Sequence, residues 1–160
     1  MTIAIPSAGV HWRQPSWRSL ALGCAAGVVI SLGEVALIRW LFPQNRGDGV
    51  LSVFVFALAG VFLVPAEEWL FRGMILRKLI RPVGAITALV LSSVFFALAH
   101  GWVFLPGVAF RFAGGLVLGA AYLWTGSLWP PITLHFTHNV VFAAALIVLT
   151  RRWPAGASAR

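Results

Sequence analysis

Residues 19–42 read SLALGCAAGVVISLGEVALIRWLF, an apolar run interrupted by only two charges, Glu34 and Arg39. A helix needs about 20 predominantly apolar residues to cross the hydrocarbon core of a bilayer. The run continues far past the apolar part of a signal peptide and offers no convincing cleavage site. This stretch is therefore predicted to be a transmembrane helix.

The composition of the whole chain extends this interpretation. Of 160 residues, 60% are hydrophobic and 10% are charged, whereas a soluble domain carries about 25% charged residues. Such a composition excludes both a soluble globule and a disordered chain. The net charge of +8 is carried by basic residues scattered between apolar runs, which favours a membrane partner over a nucleic acid. One cysteine excludes a disulfide framework.

Four further apolar stretches follow the first, separated by segments rich in proline, glycine and polar residues. We predict an all-α, polytopic transmembrane bundle of about five spans. The spans are residues 19–42, 50–66 with helix continuing through Leu79, 83–100, 108–124 and 128–149. We predict that Arg81-Pro82 ends the second helix, because a proline disfavours helical geometry in the residue before it.

The domain organisation follows from these limits. Residues 1–18 are predicted to be an interfacial lead, residues 19–149 a single transmembrane bundle, and residues 150–160 a basic tail. Two pairs of glycines four residues apart, Gly23/Gly27 and Gly115/Gly119, predict close helix approach, because small residues let two backbones pack together in lipid.

Ionisable residues are concentrated inside the apolar stretches. Each costs roughly 2.5–3.5 kcal/mol at the centre of a membrane helix, so each requires a reason. The chain has four acids and four histidines in all. Three of each lie within or beside predicted spans, namely Glu34, Glu67, Glu68, His100, His135 and His138.

The segment around Glu67 and Glu68 contains a predicted ion pair. Glu68 precedes Arg72 by four residues, the favourable order for an acid and a base on one helix face. Glu67 points about 100° away from Glu68, so Arg72 leaves it unpaired and available as a general base. The alternative is a boundary ion pair with one acid reaching toward water.

Two other segments carry histidines on apolar helices. Phe96 precedes His100 by four residues, so its ring is predicted to pack beside the imidazole. His135 precedes Asn139 by four, and His138 lies on the same side. If His100 has no functional role, it is a residue at the membrane interface. If His135, His138 and Asn139 have none, they form hydrogen bonds that only stabilise the bundle.

Together these side chains suit an acid–base hydrolytic site, or a metal held by Glu and His with an open position. A Ser-His-Asp set is excluded, because the only aspartate is Asp48 in a predicted loop. Glu34 and Arg39 are expected to bond across the bundle in a structural role.

Three motifs on successive helices resemble a known family. They are Glu67-Glu68-x-x-x-Arg72, Phe96-x-x-x-His100 and His135-x-x-x-Asn139. Their order, spacing and apolar context are similar to the CAAX-protease and bacteriocin-processing (CPBP, or Abi) intramembrane endopeptidases, which include the eukaryotic Ras-converting CAAX endopeptidase. The resemblance covers about residues 53–149.

The resemblance implies peptide hydrolysis within the membrane. It assigns water activation to Glu67 and His100, and stabilisation of the tetrahedral oxyanion to His135 and Asn139. The expected partners are the lipid bilayer and a membrane-bound protein or peptide substrate. The expected location is the bacterial cytoplasmic membrane.

The resemblance implies that Glu68 and Arg72 orient and tune the site. His138 is not part of the family pattern, so we expect it to have only a supporting role. The family has been described both as zinc-type and as metal-free glutamate proteases. If a metal is present, its expected ligands are Glu67, His100 and His135.

Two other functions compete with this one. A non-catalytic membrane protein of the same fold, such as a bacteriocin-immunity or scaffold protein, would retain the helices without needing the acid–base set. A small proton or metal-ion carrier would use the same side chains as a relay, although no internal repeat supports a transporter.

Overall fold

The computed structural model describes residues 15–41, 60–100 and 105–151. Across these residues the chain is almost entirely helical and contains no strand, which confirms the all-α prediction. The five helices are α1 (Trp17–Leu41), α2 (residues 60–83), α3 (Ala85–Ala99), α4 (Leu105–Thr125) and α5 (Trp129–Arg151). Most of the predicted lead, the start of the second span and most of the predicted tail lie outside the described residues.

Two of the described helices are long and apolar enough to cross a membrane, through Trp17–Leu37 in α1 and Gly107–Thr125 in α4. Helix α3 is a shorter apolar helix. Large apolar side chains such as Phe62 and Ile86, 76% and 75% exposed, point away from the bundle. An outer surface of this kind is typical of a protein surrounded by lipid rather than water.

The described helix ends lie within three residues of the predicted limits, except at the end of α2. There, Arg81-Pro82 was expected to close the helix near Leu79, but the helix includes Pro82 and ends at Val83. Proline removes one backbone donor, a loss that the last turn of this helix accommodates. Gly84, with φ +81°, ends the helix while its N–H donates to the Ile80 carbonyl over 3.0 Å.

The centre of α2 is not a regular α-helix. Trp69–Leu76 is a π-helix, in which hydrogen bonds span five residues and each turn is wider. The Ser92 hydroxyl of α3 donates to the Phe71 carbonyl of this segment over 2.9 Å. The sequence pattern predicts a helix through this stretch, but it does not distinguish the π-helical geometry from an α-helix.

Glycines set the closest helix contacts. A Cβ atom on Gly27 would lie 2.7 Å from the Leu134 carbonyl oxygen, and one on Gly23 would meet the Thr133 hydroxyl, so α1 packs directly on α5. A Cβ atom on Gly115 would lie 3.0 Å from Ser93, which brings α4 against α3. Both predicted glycine pairs thus lie at close helix contacts.

Two apolar clusters hold the bundle together around its polar residues. Both clusters contain residues of α2, α3, α4 and α5, and only the second also includes residues of α1. The second cluster comprises Phe71, Phe96, Leu118 and Leu134, with Ala26, Ile30 and Ile75 packed against it. These contacts bring the motif-bearing turns of α2, α3 and α5 together.

Candidate active site

A buried ion pair forms the base of the site. Glu68 and Arg72 are 0% and 1% exposed, and Arg72 Nη1 donates to Glu68 Oε1 over 2.9 Å, as the spacing predicted. Arg72 Nη2 also donates to the Gly115 carbonyl of α4 over 3.1 Å, and its guanidinium lies 4.5 Å from the Phe96 ring centre. One arginine thus connects α2 with α3 and α4.

The same Glu68 oxygen holds His135 of α5. His135 Nδ1 lies 2.8 Å from Glu68 Oε1, and because a carboxylate accepts, Nδ1–H is the donor. The His135 and Phe96 rings pack edge to face, with 5.7 Å between their centres. A carboxylate that binds one imidazole nitrogen fixes the orientation of the ring and defines where the other nitrogen points. Glu68 therefore positions His135 Nε2.

His100 lies at the end of α3 and is fixed by its own helix. Its Nδ1–H donates to the Phe96 carbonyl over 2.7 Å, and the two ring centres are 4.5 Å apart, which confirms the predicted packing. The Nε2 atom is thereby left to face Glu67. Because a carboxylate oxygen accepts, His100 Nε2 and Glu67 bond directly only when one of them carries a proton, and otherwise through a water that donates to both.

Glu67 lies between the two imidazoles. Its Oε1 is 3.5 Å from His100 Nε2 and its Oε2 is 3.8 Å from His135 Nε2. As expected, Arg72 pairs with Glu68 and not with Glu67. The Glu67 carboxylate instead faces two histidines of other helices. Glu67 and His100 are 29% and 26% exposed, so this part of the site is less buried than the Glu68–Arg72 pair.

Asn139 lies one turn beyond His135 on α5, and its amide makes a contact that the motif spacing did not predict. Asn139 Oδ1 lies 3.3 Å from His138 Nδ1. His138 Nε2 in turn lies 2.7 Å from Glu34 Oε2 of α1. The structure therefore brings together Glu67, Glu68, Arg72, His100 and His135, and connects Asn139 to a neighbouring polar pair.

The residues expected to ligate a metal, if one is used, are Glu67, His100 and His135. Among the described residues, no group of three or more His, Cys, Asp or Glu side chains is arranged to hold a metal ion. In this arrangement, Glu67, His100 and His135 do not fit together as the ligands of one metal ion.

Two contacts of the site have no signature in the sequence. The Gly115 carbonyl accepts from Arg72, and the Ser92 hydroxyl donates to the π-helical turn that carries Arg72. Gly115 belongs to a glycine pair that predicts close packing, but no residue pattern indicates which backbone carbonyl a distant arginine will reach.

Comparison with known proteins identifies the family. The family described as Type II CAAX prenyl endopeptidase Rce1-like matches residues 49–141, more than half of the chain. The chain belongs to this family. All six motif residues with polar side chains lie within the matched range, whereas Glu34 precedes it.

Two bacterial relatives of this CAAX endopeptidase family member were found. The uncharacterized protein YpbD of Bacillus subtilis (strain 168) is 28% identical over 145 residues, which cover 84% of this chain and 72% of the relative. The membrane-embedded CAAX protease MroQ of Staphylococcus aureus (strain USA300) is 35% identical over 96 residues, which cover 56% of this chain and 36% of MroQ. No solved structure matches the chain.

Proposed function

We propose that this protein is an intramembrane endopeptidase. It hydrolyses a peptide bond near the C-terminus, or next to the membrane segment, of a membrane-associated protein or peptide in the bacterial cytoplasmic membrane. Membership of the CAAX endopeptidase family supports this class of reaction. The observation that carries the proposal is the Glu67 carboxylate, which lies between the Nε2 atoms of His100 and His135 at the less buried part of the site.

Glu67 and His100 activate the water. The hydrogen bond from His100 Nδ1–H to the Phe96 carbonyl leaves Nε2 as the basic nitrogen, 3.5 Å from Glu67 Oε1. A water within reach of both groups gives one proton to the Glu67 carboxylate and hydrogen-bonds to His100 Nε2 as its oxygen attacks the scissile carbonyl. The same pair returns a proton to the leaving nitrogen when the C–N bond breaks. Positioned acid–base groups of this kind contribute about 10²–10⁴-fold to the rate.

His135 and Asn139 stabilise the negative charge that forms on the carbonyl oxygen. His135 donates through Nδ1–H to Glu68, so its Nε2 is the atom that faces the oxyanion, and it donates to the oxyanion when both ring nitrogens carry a proton. Asn139 supplies a second donor from the next turn of α5. Glu68 and Arg72 act by positioning His135, since their buried ion pair fixes the ring. Removing one oxyanion donor typically costs about 10²–10³-fold in kcat.

The test uses purified protein in lipid nanodiscs and two internally quenched peptide probes. One probe ends in a farnesylated Cys-aliphatic-aliphatic-X sequence, and the other carries an unmodified membrane-spanning segment. We expect the wild type to cleave at least one probe and His100→Ala to lose at least about 100-fold in kcat. His11→Ala, which changes the one histidine outside the predicted spans, is the matched control. Absence of cleavage of both probes, or equal cleavage by His100→Ala, would contradict the proposal.

A further inference from the structure

A second polar cluster lies beside the proposed site, at the contact between α1 and α5. Glu34 Oε2 lies 2.7 Å from His138 Nε2, and His138 Nδ1 lies 3.3 Å from Asn139 Oδ1. The Glu34 and His138 side chains are 18% and 23% exposed. Glu34, His138 and Asn139, which we call the Glu34 relay, thus form one hydrogen-bonded chain that ends at a proposed oxyanion residue.

The backbone of the relay is held at a fixed distance by its neighbours. Ser31 Oγ lies 3.0 Å from the His138 carbonyl and 2.6 Å from the Gly27 carbonyl, so its hydroxyl hydrogen is shared between them. A Cβ atom on Gly27 would lie 3.1 Å from His138 N. The His138 ring also stacks on Phe142 with 5.8 Å between ring centres. His138 therefore has little freedom to turn away from Glu34.

The chemistry of the relay selects one orientation of the Asn139 amide. Both imidazole nitrogens of His138 face an oxygen, and each donates a hydrogen bond when both carry a proton. The carboxylate of Glu34 then balances the charge of the ring. When Nδ1 carries a proton, it donates to Asn139 Oδ1, so the amide nitrogen Nδ2 and its two N–H groups are left for another acceptor. An asparagine without such a partner could present either end.

We propose that Glu34 and His138 are positioning residues that orient Asn139, so that its Nδ2 donates to the oxyanion. This inference rests on the proposed endopeptidase function. Glu34 lies outside the residues that the family matches, and His138 is not a residue of the three motifs, so the motifs do not contain this connection to Asn139. The relay explains why Glu34 is present in an apolar helix, where an unpaired acid is energetically unfavourable.

A double-mutant cycle in the cleavage assay tests whether Glu34 acts through Asn139. We expect Asn139→Ala to lower kcat about 100-fold with little change in KM, and Glu34→Gln to lower it about tenfold. In the Asn139→Ala background, Glu34→Gln is expected to change kcat less than twofold. Equal losses from Glu34→Gln in both backgrounds would contradict the inference, because neighbours that act as a unit are non-additive.

Ser31→Ala is the matched control, since it removes a hydrogen bond between α1 and α5 without touching the ring of His138. It is expected to lower the melting temperature and to lower kcat by clearly less than Glu34→Gln does, because the contacts of the His138 ring with Glu34 and Asn139 remain. A loss of kcat in Ser31→Ala as large as that in Glu34→Gln would show that Glu34 merely supports the helix contact.

A second readout does not depend on catalysis. The side-chain amide resonances of Asn139, assigned by their absence in Asn139→Ala, are expected to shift in Glu34→Gln and in His138→Gln but not in Ser31→Ala. Unchanged resonances in Glu34→Gln would overturn the relay even if the protein cleaves both probes. Failure of the proposed function gives a different result, in which the wild type does not cleave although these resonances respond to Glu34.

Discussion

Glu68 occupies an unusual position for an acid in an apolar bundle, because one of its oxygens accepts from two helices. Arg72 Nη1 and His135 Nδ1 lie 2.9 and 2.8 Å from Oε1. A buried charge of this kind is stable only while its partners remain, and removal of one partner of a buried pair costs about 3–5 kcal/mol. Stability and positioning of the site therefore depend on the same contacts.

This dependence predicts the effect of losing the arginine. Arg72→Met leaves Glu68 with His135 alone and removes the donor to the Gly115 carbonyl, so we expect a loss of about 3–5 kcal/mol in the free energy of unfolding. The exposed Arg111 provides the matched control, since Arg111→Met changes the same charge at the surface of α4. Thermal unfolding of both variants in detergent makes the comparison. Equal melting temperatures would contradict the structural assignment of Arg72.

At the residue scale, the spacing of the sequence predicts contacts within a helix and fails for contacts between helices. The Glu68–Arg72 pair and the packing of Phe96 on His100 follow from a separation of four residues. The Glu34–His138 bond joins residues 104 positions apart. Glu34 was expected to bond across the bundle, but no pattern in the sequence identifies which side chain it meets.

At the scale of elements, the glycines of α1 determine how closely it approaches α5. Gly27→Ala is expected to destabilise the protein by about 1–3 kcal/mol, because the new Cβ would lie 2.7 Å from the Leu134 carbonyl oxygen. Gly33→Ala, in the same helix and with nothing within 4 Å, is expected to be neutral or to stabilise by up to about 1 kcal/mol. Chemical denaturation measures both. The reverse order of stability would contradict the helix contact.

The π-helical segment of α2 makes a separate prediction. Ser92→Ala removes the hydroxyl that donates to the Phe71 carbonyl, and the loss of one such hydrogen bond costs about 0.5–1.5 kcal/mol. Ser93→Ala is the control, because Ser93 donates to the Leu89 carbonyl of its own helix. Unfolding experiments should show the larger loss for Ser92→Ala. A smaller loss than for Ser93→Ala would show that the hydroxyl is not needed by the π-helix.

The sequence predicts the helices well because apolar length and breakers determine where each begins and ends. It does not predict the π-helix Trp69–Leu76, whose backbone accepts a hydrogen bond from Ser92 of α3. Pro82 illustrates the same limit. Its position suggested the end of α2, but Gly84 is the residue whose backbone ends it.

At the scale of the whole molecule, the exposed apolar side chains predict a protein that stays in the bilayer. After expression, the wild type is expected to remain in the membrane pellet after extraction with alkaline carbonate, which releases peripheral proteins. A peripheral membrane protein with matched expression serves as the control. Recovery of this protein in the carbonate supernatant would contradict the bundle of membrane-crossing helices.

The whole bundle also explains why the site itself was only partly predictable. Apolar context and spacing select the six polar motif residues on α2, α3 and α5. The packing of five helices then decides that Glu67 lies between two imidazoles, that Glu68 holds His135, and that Asn139 contacts His138. The glycines that allow close helix contacts can be recognised in the sequence. The sequence does not show which residues of the two helices lie opposite each other at those contacts.

The substitution Glu67→Gln tests the central claim most directly, because it keeps the size of the side chain and removes its ability to take a proton from water. We predict at least a 100-fold loss of kcat on the peptide probes, about the contribution of a positioned base. Asp48→Asn, the change at the one acid outside the predicted spans, should cleave like the wild type. Folded Glu67→Gln protein that cleaves as fast as the wild type would contradict the account.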